Sequence, residues 1–273
     1  MLAVTTASGT YHEWPEDYTA RPTSVGSAVE GATTTYADLT GASRRGNFTH
    51  IVDQSFRVSG TEIAVDVAGT SNPFEYQKAK ALSSWKSKLE YNLIRSTSAS
   101  GSSGVARTMV GITAVCTSHY TNRNSGTSLT EDMLNDGIQD VWTDVGSDSV
   151  CNLVLTTAGL KRKISSFTAG STRYIDAKDK RLVRPVEVYE GDFSTVRIMA
   201  HKDVYASTTT PGPTLLGLNE SKWRIAYLPN RRPKYEPRPK DGDYESGIII
   251  GEATLEYLAE RANFKQTGFA SNG

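Results

Sequence analysis

The sequence predicts an α+β fold, and three observations carry that expectation. Residues 73–95 hold an apolar stripe at helical spacing, several short apolar runs between residues 150 and 258 read as strands, and the strands do not follow the regular strand–helix–strand rhythm of a parallel sheet. The helix is the clearest signal. Phe74, Ala81, Trp85, Leu89 and Leu93 recur at steps of seven, four, four and four, Asn72 is a good N-cap, and Pro73 suits a first turn. At 1.5 Å per residue the stretch makes a rod of about 35 Å.

The leading segment reads differently. Up to residue 58, Ser, Thr, Gly and Ala dominate, yet Tyr11, Trp14, Tyr18, Tyr36 and Phe48 are spread through it. Ordering costs about 1–2 kcal/mol per residue, more than so few anchors offset alone. The segment is therefore expected to dock as an arm on other surfaces, including those of other subunits. Phe48, Val52, Phe56 and Val58 on even positions predict a strand over 47–58. Its expected partner is 33–39, giving a long hairpin with Arg44 and Arg45 near the tip. Two strands alone cannot bury both faces, so this hairpin also needs a partner. Ser59-Gly60-Thr61-Glu62 forms a capping box that opens a short helix ending before Gly69, although Ile63, Val65 and Val67 also alternate as a strand would.

After the long helix, the Ser- and Gly-rich run 96–104 predicts a flexible joint and a domain boundary. Beyond it, 109–115 is apolar, and a capping box at Ser128–Glu131 opens a helix with Leu134, Ile138, Val141, Trp142 and Val145 on one face. A short strand at 152–155 precedes a basic helix over 158–167 carrying Lys161, Arg162 and Lys163. Residues 186–189 and 195–199 flank Glu190-Gly191-Asp192-Phe193 as a hairpin would. A strand at 223–228, an exposed basic and proline-rich crossing at 229–239, and a long extended strand at 247–258 complete the chain.

Composition excludes several classes. The 273 residues carry 30 basic and 30 acidic side chains, which argues against a protein that condenses nucleic acid by charge alone. Its 13 Tyr, 7 Phe and 4 Trp need burial, so the chain is not disordered as a whole. No apolar run approaches the ~18 residues of a membrane span. The first residues lack the basic and apolar regions of a signal peptide, so Cys116 and Cys151 are expected as buried thiols in a reducing compartment. Four scattered histidines and Cys116-Thr-Ser-His119 make a poor metal site, and no phosphate-cradling glycine loop or nucleophile motif is present. No catalytic, cofactor or metal residue is expected. Basic runs at 161–163 and 231–234 could touch phosphate, while acidic residues at 241–245 and 252–260 suggest pairing between subunits.

Parts that cannot stabilise themselves are completed by copies of the same chain. Particular residues also carry a resemblance. His12-Glu13-Trp14, Glu30-Gly31-Ala32, Tyr36-Ala37-Asp38-Leu39-Thr40, Gly46-Asn47-Phe48-Thr49, Phe56-Arg57-Val58-Ser59, Tyr76-Gln77-Lys78-Ala79-Lys80, the run Leu129 to Asp136, Lys161 to Phe167 and Thr172-Arg173-Tyr174 resemble, in order and spacing, one family of tailed-phage major capsid proteins. These are the SU-ten-like podovirus major head proteins, of the Hong Kong 97-type (HK97-like) capsid fold. The resemblance implies an N-terminal arm over 1–27, an E-loop hairpin over 28–58, a peripheral domain with a spine helix over 59–104, an axial domain over 105–242 and a peripheral return strand over 243–273. It implies a virion shell of pentamers and hexamers around double-stranded DNA, assembled in the host cytoplasm. Its partners would be further copies of itself, a separate scaffolding protein, a portal protein and decoration proteins, with weak non-specific contacts to DNA and none to membrane. Trp14, Tyr18 and Arg57 are the expected subunit contacts, Arg44 and Arg45 would sit at the E-loop tip, and Glu62 and Asp66 would be acidic counterparts. An encapsulin-like compartment of the same fold is the alternative, and an enzyme using Cys116 is a more distant one.

Overall fold

The computed structural model describes residues 2–17, 26–27, 29–33, 41–65, 72–146, 150–167, 188–204 and 212–270. Two compact units share the chain. The first comprises residues 1–13, 46–115 and 223–256, and the second 14–45, 116–222 and 257–273.

The first unit is organised by strand β12 (Tyr244–Tyr257). Antiparallel to it runs β4 (His50–Ser59), in register from Ser59 opposite Tyr244 to His50 opposite Ala253. The sheet continues through β10 (Trp223–Tyr227), with β1 (Ala3–Thr6) parallel to it, and β11 (Lys234–Pro237) pairs with residues 247–250 of β12. Helix α2 (Pro73–Arg95) lies against β4. Asn72 caps it by accepting from the Glu75 N–H at 3.1 Å, and the expected stripe of Ala81, Trp85, Leu89 and Leu93 is buried. The Trp85 indole donates to the Val52 carbonyl at 2.8 Å. It fits only because Gly251 lacks a side chain, since a Cβ there would lie 2.8 Å from the ring. Two short helices, α1 (Gly60–Ala64) and α3 (Ile112–Val115), complete the unit. The predicted cap of α1 forms, with Ser59 Oγ accepting from the Glu62 N–H at 3.1 Å.

Three expectations change here. The strand foreseen over 47–58 breaks at Thr49, whose N–H turns to the Thr10 carbonyl at 2.9 Å. Before the break, β3 (Ser43–Phe48) pairs with β2 (Tyr11–Glu16), and after it β4 takes β12 as partner. Most of the proposed hairpin partner, 34–40, lies outside the described residues. Secondly, the arm finds surfaces within its own chain: β1 adds to the sheet, and the Ala7 N–H reaches the Tyr227 carbonyl at 2.9 Å. Thirdly, the run 96–104 folds back into a small hairpin through the bridges Ala99–Thr108 and Ser102–Val105, with Gly101 and Gly104 at positive φ. The proline-rich crossing likewise contributes a strand, β11.

The second unit is a six-stranded mixed sheet in the order β5-β13-β9-β6-β8-β7 among the described residues, formed by β5 (Tyr120–Thr127), β6 (Leu153–Thr156), β7 (Val188–Glu190), β8 (Thr195–Ala200), β9 (Leu215–Leu218) and β13 (Phe264–Phe269). Helices α4 (Glu131–Val145) and α5 (Ala158–Phe167) bury Leu134, Ile138, Val141, Leu160 and Ile164 in the same core as Val154, Ile198 and Phe264. The cap of α4 is Thr130 rather than Ser128, its hydroxyl accepting from the Met133 N–H at 3.3 Å. The hairpin β7–β8 is as expected.

Candidate assembly surfaces

Strand β2 alternates strictly, with His12, Trp14 and Glu16 buried and Tyr11, Glu13 and Pro15 exposed. That alternation decides the role of Trp14. Its indole is 5% exposed, sits edge-on to Tyr257 at 5.2 Å and donates to the Tyr257 carbonyl at 2.5 Å. The expectation of a subunit contact at Trp14 is therefore corrected: apolar ring and N–H are both satisfied inside one chain. Arg45 turns to the buried Glu16 carboxylate at 2.5 Å, and that hydrogen bond and charge hold its guanidinium still more firmly protonated. Its neighbour Arg44 is exposed on β3. Arg57 is exposed on β4, its guanidinium over the Tyr244 ring at 5.6 Å, and Glu62 is exposed in the first turn of α1. Tyr18 and Asp66 lie outside the described residues.

The acidic residues near the C-terminus are the larger surprise. Of those read from sequence as partners for other subunits, Asp241 and Asp243 are exposed and Glu245 half-buried, but Glu252, Glu256 and Glu260 are buried and occupied within the chain. In the first unit Glu252, 3% exposed, accepts from Thr49 Oγ1 at 2.6 Å and from Arg107, with Arg231 at 3.4 Å. Glu256 faces His12 at 3.5 Å and Arg224 at 3.6 Å. Asn47 adds a third staple, donating to the Leu255 carbonyl at 2.8 Å while accepting from the Val110 N–H at 2.8 Å. A buried carboxylate is tolerable only with such partners. The second unit repeats the device: Glu260 Oε1 accepts from the backbone N–H groups of Thr117 at 2.6 Å and Ser118 at 2.8 Å, and the Glu260 N–H itself donates to Glu16 at 2.7 Å. Burial pushes the Glu260 carboxyl up, but the Ser118 and Thr117 donors outweigh it and leave it below the ordinary value.

These groups are consumed in structure, which leaves little for chemistry. Cys116 is 1% exposed, and burial first, with the Glu260 charge second, pushes its thiol up to about 12. A thiol held protonated is a poor nucleophile. His119 faces Asp144 at 3.3 Å. Exposed apolar side chains on the leading segment include Val4, Tyr11, Val29 and Ile51.

Residues 1–270 match the family described as SU10 major capsid protein. This chain belongs to that family. As an SU10-family major capsid protein it is a structural component of a tailed-phage virion and not an enzyme. Solved structures agree on the fold, which is the HK97-like capsid fold, mixed in helix and strand. The capsid protein of a native GTA particle superposes with a TM-score of 0.68 at 11% identity, covering 98% of this chain and 88% of that one. The capsid of cyanophage A-1(L) gives 0.62 at 14% identity, with 99% and 90% covered. The SrpI encapsulin of Synechococcus elongatus PCC 7942 gives 0.61 at 13% identity, with 100% and 87% covered. No curated protein matches the sequence. The resemblance read from His12-Glu13-Trp14 onwards is thus borne out at the level of the family.

Proposed function

We propose that this SU10-family capsid protein closes pentamers and hexamers into an icosahedral shell around double-stranded DNA, with a scaffolding protein and a portal protein as assembly partners and decoration proteins on the finished shell. The observation that carries this reading is the family match over residues 1–270, which spans both compact units and the leading segment. The division into units supports a peripheral role for the first, with its long helix α2 and long strand β12, and an axial role for the second. The exposed apolar residues of the leading segment support arm and E-loop roles for residues 1–27 and 28–58, reaching to neighbouring copies. A chain of zero net charge suits a wall that releases its genome, because a strongly basic lining would bind the DNA tightly and hinder its packaging and release. Tyr18, Arg44, Arg57, Glu62 and Asp66 remain the proposed subunit contacts.

Co-expression with the genes encoded beside it, followed by negative-stain electron microscopy, tests the reading. Closed particles of uniform size containing nucleic acid are expected. A chain that stays monomeric at high concentration with its scaffold present refutes shell building, and particles filled with enzyme cargo would instead select the encapsulin-like compartment.

A further inference from the structure

The turn joining β10 to β11 closes a cleft of about 360 Å³ over the end of β1, lined by Thr6, Tyr227, Asn230, Arg232 and Lys234 among others. Its charge is unlike that of the chain as a whole. Residues 224–240 carry six cations and one carboxylate, in a protein whose total is zero. Four of those cations face a carboxylate: Arg231 meets Glu252, Arg224 meets Glu256, Lys234 lies 2.8 Å from Glu236 and Lys240 2.9 Å from Glu245. Arg232 is different. Among the described residues no carboxylate lies within ion-pair distance of it, and its guanidinium sits over the Tyr227 ring at 5.9 Å. Asn230, at φ 60°, makes the tight bend that brings position 232 back over position 227.

A guanidinium resting on a ring is fixed in plane and keeps its N–H edge free for a two-pronged acceptor. A second cation, Lys234, lines the same cleft, as do Tyr227 and Thr6. Half-buried Glu236 is held below its ordinary value, first by the hydrogen bond and charge of Lys234 and then by the charges of Arg238 and Arg231. We propose that this cleft is a phosphate-binding site through which the subunit holds nucleic acid, with Arg232 and Lys234 as the contacting cations. The inference rests on the shell reading above, which supplies the polyanion. It adds a place and a stoichiometry: one phosphate site per subunit, repeated over the shell, fixes the genome loosely by number rather than by affinity.

The test uses the full chain before assembly and a short fluorescein-labelled DNA duplex, read by anisotropy across a salt series. For the double variant Arg232→Gln/Lys234→Gln the slope of log affinity against log salt should fall by about 2, one per cation removed. Lys80→Gln/Lys86→Gln, an equal loss of charge on the exposed side of α2, should leave the slope near that of the parent. Arg232→Lys keeps the charge but loses the fork and should bind between the two. Circular dichroism confirms that each variant is folded. An unchanged slope in the double variant, or an equal fall in the α2 control, overturns the site. Displacement of duplex by inorganic phosphate at equal phosphate concentration would show a small-anion site, and displacement by polyglutamate at equal charge an acidic-peptide site; either result also overturns it. Microscopy of the same double variant keeps the two readings apart: normal particles with an unchanged slope remove the cleft alone, whereas absent particles from the parent chain remove the shell reading.

Discussion

Glu260 shows how a single side chain can make this fold sensitive to acid. Its carboxylate is satisfied by two consecutive backbone N–H groups and two hydroxyls, and its folded value lies below the ordinary 4.5. A depressed carboxylate contributes stability that is complete above the unfolded value and is lost as pH falls through the folded one. Glu260→Gln should therefore lower the urea midpoint at about pH 7, and the gap between parent and variant should narrow steadily below pH 4.5. A gap of constant size down to about pH 3 would rule out the ionised carboxylate as the source. Nothing in the sequence revealed this residue's role, nor that of Glu252. Arg107 stands 145 positions before Glu252, and a carboxylate carries no local mark of so distant a partner. Counted as surface charge, such residues point outward to other subunits; placed by the sheet, they point inward. Trp14 misled in the same way, because a large aromatic among small polar residues reads equally well as an anchor on a neighbour or on its own chain.

Elements were legible where one physical signal dominated. Helix α2 announced itself through a four-residue apolar step, an Asn cap and a first-turn proline, and β12 through its triple isoleucine and the long extended run that follows. Strands β5 and β13 gave no such signal. Tyr120–Thr127 is largely polar, and Phe264–Phe269 buries Gln266 and Thr267, so both are strands because they pair with one another and with β9 rather than by alternation. Their packing does leave a trace in glycine. The Phe264 ring lies between Gly137 of α4 and Gly217 of β9, where an added Cβ would come within 2.6 Å and 1.9 Å of it. Held on both sides, the ring has nowhere to retreat, so Gly217→Ala should cost about 1–3 kcal/mol or more by overpacking. Phe264→Leu frees space at a cost of its own, and the double variant should be more stable than the sum of the two single losses predicts. Urea unfolding of all four proteins measures the coupling; simple additivity would mean that the ring is not what the glycine accommodates.

At the scale of the whole molecule, the leading segment has two tasks that its side chains separate. Inward-facing groups fasten it to its own chain, through Trp14 on Tyr257, Glu16 on Arg45 and β1 on β10. Outward-facing groups, Tyr11 and Arg44 among them, stay exposed in a family whose members build shells. Arg44 and Arg45 fall on either side of this division, because successive residues of a strand face opposite ways. Arg45 meets Glu16, so Arg44 points away from it. Reversing each charge should therefore produce different failures. Arg45→Glu sets a negative charge beside Glu16 and should lower the unfolding midpoint of the unassembled chain, with particle yield falling as a consequence. Arg44→Glu should lower that midpoint less than Arg45→Glu does while reducing particle yield, with the missing protein recovered as soluble chain or incomplete capsomers. The comparison is read by calorimetry on unassembled protein and particle counts by electron microscopy. Full particle yield from Arg44→Glu would place this face of β3 outside the subunit contacts, and an equal loss of midpoint in both variants would show that the two arginines share one structural task.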